Sequence, residues 1–275
     1  TSTIRIMTGI VIVPLYHPVM LAKLTATLDQ VSNGRLDFGI GISGQRATEI
    51  EFQALDIPVR TRGKRTDEML DVMKRLWTEE HVSHSGRFFN FEDVTLLPQP
   101  IQKPYPPMLL PVDSQESFVP MGAKGYKIAI GAGSSPHNLR GSAVLREDVQ
   151  SYRKAWIDAG HPGDPTTVVR VPTLVADTKA EADRRTEELM NLARIYYAGR
   201  VGIGSTDAGS AGPDATAEAN LFGTPEEVID KIHEFREAFN SDEIMFECNW
   251  TSSVPREVVM DTIRCITDKV IPAFK

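Results

Sequence analysis

Asp113, Ser114 and Ser117 follow an apolar segment, residues 108–112, and stand where a helix is predicted to begin. The N–H groups of a helix start and the positive end of the helix dipole attract anions. Serine hydroxyls can donate further hydrogen bonds. The segment therefore suits a phosphate group. The same residues also suit an ordinary helix cap, in which Asp113 or Ser114 accepts from the first turn.

The histidines and cysteines indicate little chemistry of their own. His81 and His84 stand three residues apart in a predicted hairpin, but two ligands do not make a zinc site, and we expect no metal. His17 precedes a proline at a helix start and is expected to cap or pack. Cys248 and Cys265 are expected to be small buried side chains and not nucleophiles.

Strand and helix patterns alternate along the chain, which is typical of a parallel sheet with crossover helices. We predict one domain over residues 1–275, with a hairpin at 81–91 and a proline-rich extended connection at 95–107. Six strands, each followed by a helix, are predicted at about residues 4–13, 36–42, 108–112, 127–132, 167–176 and 243–248.

Residues 199–219 differ from the rest because they are rich in Gly, Ala, Ser and Asp and nearly lack large apolar side chains. A long connection of this composition is typical of a mobile lid over a binding site. A disordered insertion without a role is the alternative.

Charge and hydropathy exclude several classes of protein. The formal net charge of −7 over 275 residues argues against nucleic acid or an anionic membrane as a partner. No apolar run approaches about 18 residues, so no transmembrane helix is predicted. Residues 1–5 show no signal-peptide pattern, and two cysteines do not indicate a disulfide framework. We therefore expect a cytoplasmic protein.

Four short motifs follow one another near the start of the chain: TGIVIVP at 8–14, HP at 17–18, TLDQVSNGRL at 27–36 and FGIG at 38–41. Together they closely resemble the bacterial luciferase-like family of flavin-dependent oxidoreductases. Further matches follow at 62–68, 86–89, 97–104, 223–228 and 270–272. The resemblance covers nearly the whole chain and is loosest over residues 136–219.

The resemblance implies a fold and an activity. The family fold is a TIM-type (β/α) barrel that binds reduced FMN or, in one branch, a deazaflavin coenzyme at the C-terminal mouth. It implies a monooxygenase that uses reduced FMN and dioxygen on a small organic substrate, with a flavin reductase as partner and a homodimer or larger assembly. Deazaflavin-dependent hydride transfer and a non-catalytic barrel remnant that binds a flavin or a partner stay open.

The resemblance also implies contacts with the flavin ring. Family members often have a non-prolyl cis peptide where this chain has Gly9–Ile10. Gly41 aligns with a position facing the ring, where the absence of a side chain would allow close approach. Ala132, after the fourth predicted strand, aligns as a weaker candidate.

Two segments are implied as contacts of the flavin phosphate. The alignment favours phosphate binding by Asp113, Ser114 and Ser117 over a plain cap. Many members also carry an arginine after the second strand. Here Arg46 stands in a loop that departs from the pattern, so it either reaches the phosphate or is a solvated loop residue.

The family normally carries two βα units before the point that aligns with residue 4. The resemblance therefore implies that the first two units are absent from this chain, together with a histidine that assists flavin chemistry in FMN-type members. A trimmed chain, a shortened homologue covered by a partner chain and a remnant without flavin are the alternatives. No catalytic residue is assigned.

Overall fold

The computed structural model describes residues 2–43, 48–112, 114–131, 142–200, 220–249 and 254–275. The chain divides into two compact units, Thr1–Leu110 and Pro111–Lys275, which are described in turn. The expectation of one domain stays a prediction.

Ten strands and eight longer helices are described. The strands are β1 Ile6–Met7, β2 Val11–Ile12, β3 Leu36–Gly41, β4 Val82–Ser85, β5 Asn90–Val94, β6 Met108–Val112, β7 Lys127–Gly131, β8 Thr167–Val175, β9 Leu221–Gly223 and β10 Glu243–Glu247. The helices are α1 Pro18–Val31, α2 Glu49–Ala54, α3 Arg62–Thr78, α4 Gln115–Ala123, α5 Ser142–Asp158, α6 Lys179–Arg200, α7 Pro225–Phe239 and α8 Arg256–Cys265.

The first unit is a parallel sheet covered by α1 and α3. Both β1 and β2 pair with β3 in parallel, and Phe38 and Gly39 of β3 pair with Met108 and Leu109. Helix α1 begins at Pro18, whose fixed φ suits a first helical position, and ends before Asn33 and Gly34, which both have positive φ. The predicted alternation of strand and helix is thus confirmed in this unit.

Helix α3 buries the face that its 3.6-residue period predicts. Met69, Val72, Met73 and Leu76 are all at most 1% exposed. Trp77 completes this face, and its indole Nε1 donates to the carbonyl oxygen of Ala22 at 3.0 Å, which links α3 to α1. The antiparallel hairpin β4–β5 follows, as predicted, with its turn over residues 86–89.

The second unit is also a parallel sheet covered by helices. Strand β8 pairs in parallel with β7, with β10 and, near its end, with β9. One face of this sheet, which includes Ile128, Ile130, Val169 and Val171, belongs to a buried apolar core shared with α5 and α7. Because side chains alternate along a strand, the intervening residues lie on the opposite face.

One predicted strand was wrong in detail, and two short elements were missed. The strand predicted over residues 4–13 is two short strands, β1 and β2, with a break between them. The short helix α2 was not predicted. Strand β9 was missed because three residues are too few for a period to show. Within the described ranges, no helix is both long and apolar enough to cross a membrane.

Candidate functional site

The break between β1 and β2 contains the peptide bond that the family resemblance singled out. The Gly9–Ile10 bond is cis and non-prolyl, so the predicted geometry is confirmed. The hydroxyl of Thr8 bridges the break: Oγ1 donates to the Gly39 carbonyl oxygen and accepts from the Gly39 N–H, each at 2.9 Å. A side-chain hydroxyl thus replaces one step of the β-sheet ladder and leaves Gly9 and Ile10 outside it.

The two glycines of β3 make room for this break. A methyl group added at Gly39 would overlap the carbonyl oxygen of Thr8, and one added at Gly41 would overlap Cδ1 of Ile10. Gly41 therefore lets Ile10 lie across the strand, whereas the resemblance suggested that it lets the flavin ring approach directly. Ile10 remains 41% exposed, and a Cβ built at Gly9 meets no atom within 4 Å. Cofactor contact by these residues stays a prediction.

The start of α4 has the backbone form of a cap but no side-chain cap. Ser114 is extended, with φ −139° and ψ 149°, and its side chain makes no capping hydrogen bond. Instead, Ser114 Oγ and Ser117 Oγ lie 3.0 Å apart and share a hydrogen bond, and both side chains are half-buried. The cap alternative for the Ser114 side chain is therefore not seen, and a pair of hydroxyl groups lies at the positive end of the helix.

Several predicted site residues lie outside the described residues. These are Arg46, Asp113, Ala132 and all but the first two positions of the predicted lid, 199–219. Their assignments stay predictions. In the part of the chain that the structure describes, no group of three or more His, Cys, Asp and Glu side chains is arranged to hold a metal ion.

His17 has a structural role, as expected. Cys248 and Cys265 are only half-buried, so the expectation that both are buried was wrong. His17 Nδ1 accepts from the Val19 N–H at 3.3 Å and so caps α1. Burial, and then the charge of Arg65, lower the pKa of His17. Burial raises the pKa of Cys248 to about 11. Burial, together with a hydrogen bond to Asp177, raises the pKa of Cys265 to about 11. Both thiols are therefore protonated and weakly nucleophilic near neutral pH.

Sequence reasoning missed an anchored carboxylate at the tip of the hairpin. Glu68 of α3 accepts from the backbone N–H groups of Arg87, Phe88 and Phe89 at 3.0–3.2 Å and from His84 Nε2 at 3.1 Å. Burial alone would raise the pKa of Glu68, but the hydrogen bonds from His84, Phe88 and Phe89 outweigh it and hold the pKa below its usual value.

The longest family motif, at residues 27–36, has a structural role: its polar side chains form a tether between separate elements of the fold. Asp29 is fully buried, and its carboxylate accepts from the Gln102 backbone N–H at 2.9 Å and from Gln102 Nε2 at 2.7 Å. Ser32 Oγ accepts from the Arg35 N–H, and Arg35 donates to the Ile4 carbonyl oxygen at 2.6 Å. These residues hold α1, β1 and the proline-rich connection together.

A second missed feature is a pair of opposite charges on the face of the second unit's sheet that points away from its helix-side core. Arg170 of β8 and Glu247 of β10 approach to 3.7 Å, with side chains 27% and 31% exposed. The Nε of Arg170 is buried and has no hydrogen-bond partner among the described residues. The signal in the sequence is an arginine inside the otherwise apolar run 168–175, where strands buried on both faces rarely carry a charge.

The fold and these details define one structural class: a parallel α/β protein with a strand break that the hydroxyl group of Thr8 bridges. The profile of the luciferase-like monooxygenase family matches residues 1–241. The chain therefore belongs to the luciferase-like family of flavin-dependent monooxygenases, as the motifs at 8–41 predicted.

Two relatives in sequence and one in structure are named as monooxygenases. The chain is 28% identical over 289 aligned residues to the oxygenase component of a flavin-dependent trigonelline monooxygenase from Acinetobacter baylyi, spanning all of this chain and 77% of that protein. It is 25% identical to an FMNH2-dependent dimethylsulfone monooxygenase from Pseudomonas putida, spanning 84% of this chain and 66% of that protein. The crystal structure of the monooxygenase RslO1 from Streptomyces bottropensis has a TM-score of 0.84 and 26% identity, spanning all of this chain and 80% of that one.

Two more distant structures share the fold. The oxygenating constituent of 3,6-diketocamphane monooxygenase from Pseudomonas putida, solved with FMN, has a TM-score of 0.74 at 21% identity, and the match spans 98% of this chain and 79% of that one. The coenzyme F420-dependent tetrahydromethanopterin reductase from Methanopyrus kandleri has a TM-score of 0.73 at 18% identity, spanning all of this chain and 84% of that one. At these identities the likeness shows the fold alone and does not separate FMN from a deazaflavin.

Proposed function

We propose that this chain is the oxygenase of a flavin-dependent monooxygenase that takes reduced FMN from a separate flavin reductase and oxygenates a small organic substrate. The observation that carries the proposal is the strand break bridged by Thr8, which leaves the side chain of Ile10 41% exposed, in a member of this family. The dimethylsulfone monooxygenase is FMNH2-dependent, which supports reduced FMN as the cofactor. The trigonelline monooxygenase relative is an oxygenase component, which supports a separate reductase.

Two groups of residues suit the two ends of FMN. Ile10 presents a 41% exposed apolar side chain beside the open space at Gly9, and such a surface suits the flat apolar ring. Ser114 and Ser117 place two hydroxyl groups at a helix start, where the dipole and the N–H groups favour a phosphate. Arg46, Asp113 and Ala132 are retained as proposed contacts on the resemblance alone.

When bound, reduced FMN supplies the chemistry that activates dioxygen. The chain's own part is to bind and orient the flavin and the substrate. The proposed lid at 199–219 would exclude water during turnover. A complete (β/α) barrel, a homodimer or larger assembly and a cytoplasmic location remain predictions, and light scattering of the purified protein measures the assembly.

Titration with FMN and with riboflavin, which lacks the phosphate, tests both ends of the proposed site. We expect the double variant Ser114→Ala/Ser117→Ala to weaken FMN binding by at least about tenfold, because each hydrogen bond to a charged group contributes roughly 1.5–3 kcal/mol. Its riboflavin affinity should not change. The variant Gly41→Ala displaces Ile10 and should weaken both ligands equally.

Turnover gives the second half of the test. We expect reduced FMN, supplied by a reductase with NADH, to support oxygen consumption linked to substrate. Absence of any FMN binding by a folded chain would contradict the proposal. Binding of a reduced deazaflavin in place of FMN would instead support a deazaflavin-dependent enzyme that transfers a hydride.

A further inference from the structure

The face of the second unit's sheet that points away from its helix-side core carries two opposite charges. Val169, Val171 and Phe246 belong to or pack against the helix-side core. Because neighbouring positions in a strand point to opposite faces, Arg170 and Glu247 stand on the other face. Glu247 is the last residue of β10, and Arg170 lies beside the last residue of β7. In parallel α/β enzymes, ligands bind at the carboxyl ends of the strands.

The position beside the arginine on this face carries no side chain. Arg170 is in register with Gly131, the last residue of β7, on one side and with Met245 of β10 on the other. Gly131 has no side chain to occupy the neighbouring position on the sheet face. Glu247 is the last residue of β10, in register with Pro172.

The ion pair between these two residues is incomplete. Its closest approach, from Arg170 Nη1 to Glu247 Oε1, is 3.7 Å, which is longer than a hydrogen bond. Arg170 Nε is buried and has no partner among the described residues. Since a guanidinium carries five donors and buried donors in native proteins are nearly always paired, this arrangement leaves donor capacity for a ligand.

Charge balance decides which kind of ligand fits. An anion bound by Arg170 would lie against the negative charge of Glu247, and a cation bound by Glu247 would lie against Arg170. Leaving one member of a partly buried pair without compensation is strongly unfavourable. A ligand with both charges compensates both side chains at once.

We propose that Arg170 and Glu247 select a small zwitterionic substrate, one with a carboxylate and a cationic nitrogen. The carboxylate takes the donors of Arg170, and the cationic nitrogen lies beside the carboxylate of Glu247. The proposal rests on the proposed function only in treating the ligand as the substrate of the oxygenase. Arg170 and Glu247 are here specificity-determining residues.

Calorimetric titration with four pyridines tests the proposal on the purified full chain, with and without excess FMN. The probes are N-methylnicotinate (zwitterion), nicotinate (anion), N-methylnicotinamide (cation) and nicotinamide (neutral). We expect the wild-type chain to bind the zwitterion at least about tenfold more tightly than each of the others. Equal affinities, or no binding of the zwitterion, overturn the proposal.

Single substitutions should reorder the preference in opposite directions. Arg170→Met should bind the cation at least as tightly as the zwitterion, whereas Glu247→Gln should favour the anion. Glu243→Gln, on the same strand and exposed, is the matched control and should keep the wild-type order. A reordering of this kind is not produced by partial unfolding. An unchanged order in both variants overturns the proposal.

Two further readouts separate this inference from the proposed function. Arg170→Met should leave the ratio of FMN to riboflavin affinity unchanged, and a selective loss of FMN affinity would instead assign the arginine to the flavin phosphate. If the zwitterion preference and its reordering hold in a chain that binds no flavin, the proposed oxygenase function fails while the zwitterion site stands.

Discussion

Gly39→Ala should be the most damaging small substitution in the first unit. Gly39 is buried in β3, and a methyl group there would overlap the carbonyl oxygen of Thr8 and come within 3.1 Å of its carbonyl carbon. Both atoms are backbone, so no rotamer change can relieve the overlap. The two strands must separate, which also breaks the reciprocal hydrogen bonds between Thr8 and Gly39.

The expected loss follows from these two effects. Overpacking of a buried site costs about 1–3 kcal/mol, and two neutral hydrogen bonds contribute roughly 0.5–1.5 kcal/mol each. The free energy of unfolding should therefore fall by about 2–6 kcal/mol, a large share of the roughly 5–15 kcal/mol of a typical domain. Urea denaturation followed by circular dichroism measures it.

Two alanine variants serve as controls for this prediction. Gly41→Ala meets only the flexible end of Ile10, so its stability loss should be clearly smaller than that of Gly39→Ala. Gly63→Ala, near the start of α3, meets no atom within 4 Å and should be neutral or stabilising by up to about 1 kcal/mol. If the free energy of unfolding of Gly39→Ala lies within about 0.5 kcal/mol of the wild-type value, the close approach of Thr8 and Gly39 does not exist in solution.

Further predictions concern the hairpin anchor and the thiols. Glu68→Gln should lower the free energy of unfolding by about 1–3 kcal/mol at pH 7, because a charged acceptor of several N–H groups is lost, whereas Asp71→Asn, exposed on the same helix, should change it little. The pKa of Glu68 is lowered in the folded chain, so the stabilisation by its carboxylate is present above the unfolded pKa and is lost as pH falls through the folded pKa. The free energies of unfolding of wild type and Glu68→Gln should therefore converge at acidic pH. A difference in stability that persists there would argue against a charged Glu68. With both thiol pKa values raised to about 11, Cys248 and Cys265 should react with iodoacetamide at pH 8 on the order of a hundredfold more slowly than a free thiol; labelling at the free-thiol rate would contradict their burial.

Sequence patterns predicted the order of strands and helices because the relevant signals are local. The apolar period of α3 and the proline at the start of α1 need only neighbouring residues. The break at Gly9–Ile10 has no such signal: the run 4–13 is mostly apolar and β-branched, and only the family resemblance indicated an interruption. The structure was also needed to explain why residue 41 has no side chain, because its neighbour Ile10 lies 31 residues away in the chain.

The candidate site was only partly predictable for the same reason. Ser114 and Ser117 could be found because they are three residues apart at a helix start. The partners of Glu68 and of Arg170 stand 16 or more residues away in sequence, at Phe88, His84 and Glu247. Such partners emerge only when strands and helices pack, so one sequence without homologues does not indicate them.

The Asp29 tether bears on how proteins of this kind are recognised. The residues that most readily identify the family join a helix, a strand edge and the connection at Gln102, and their hydrogen-bonding groups are engaged in that task. A sequence search that relies on these motifs therefore selects for residues that connect elements of the fold. It will gather proteins that share a scaffold while differing in flavin and substrate. Grouping them by chemistry needs other residues, such as the charged side chains on the face of the second unit's sheet that points away from its helix-side core.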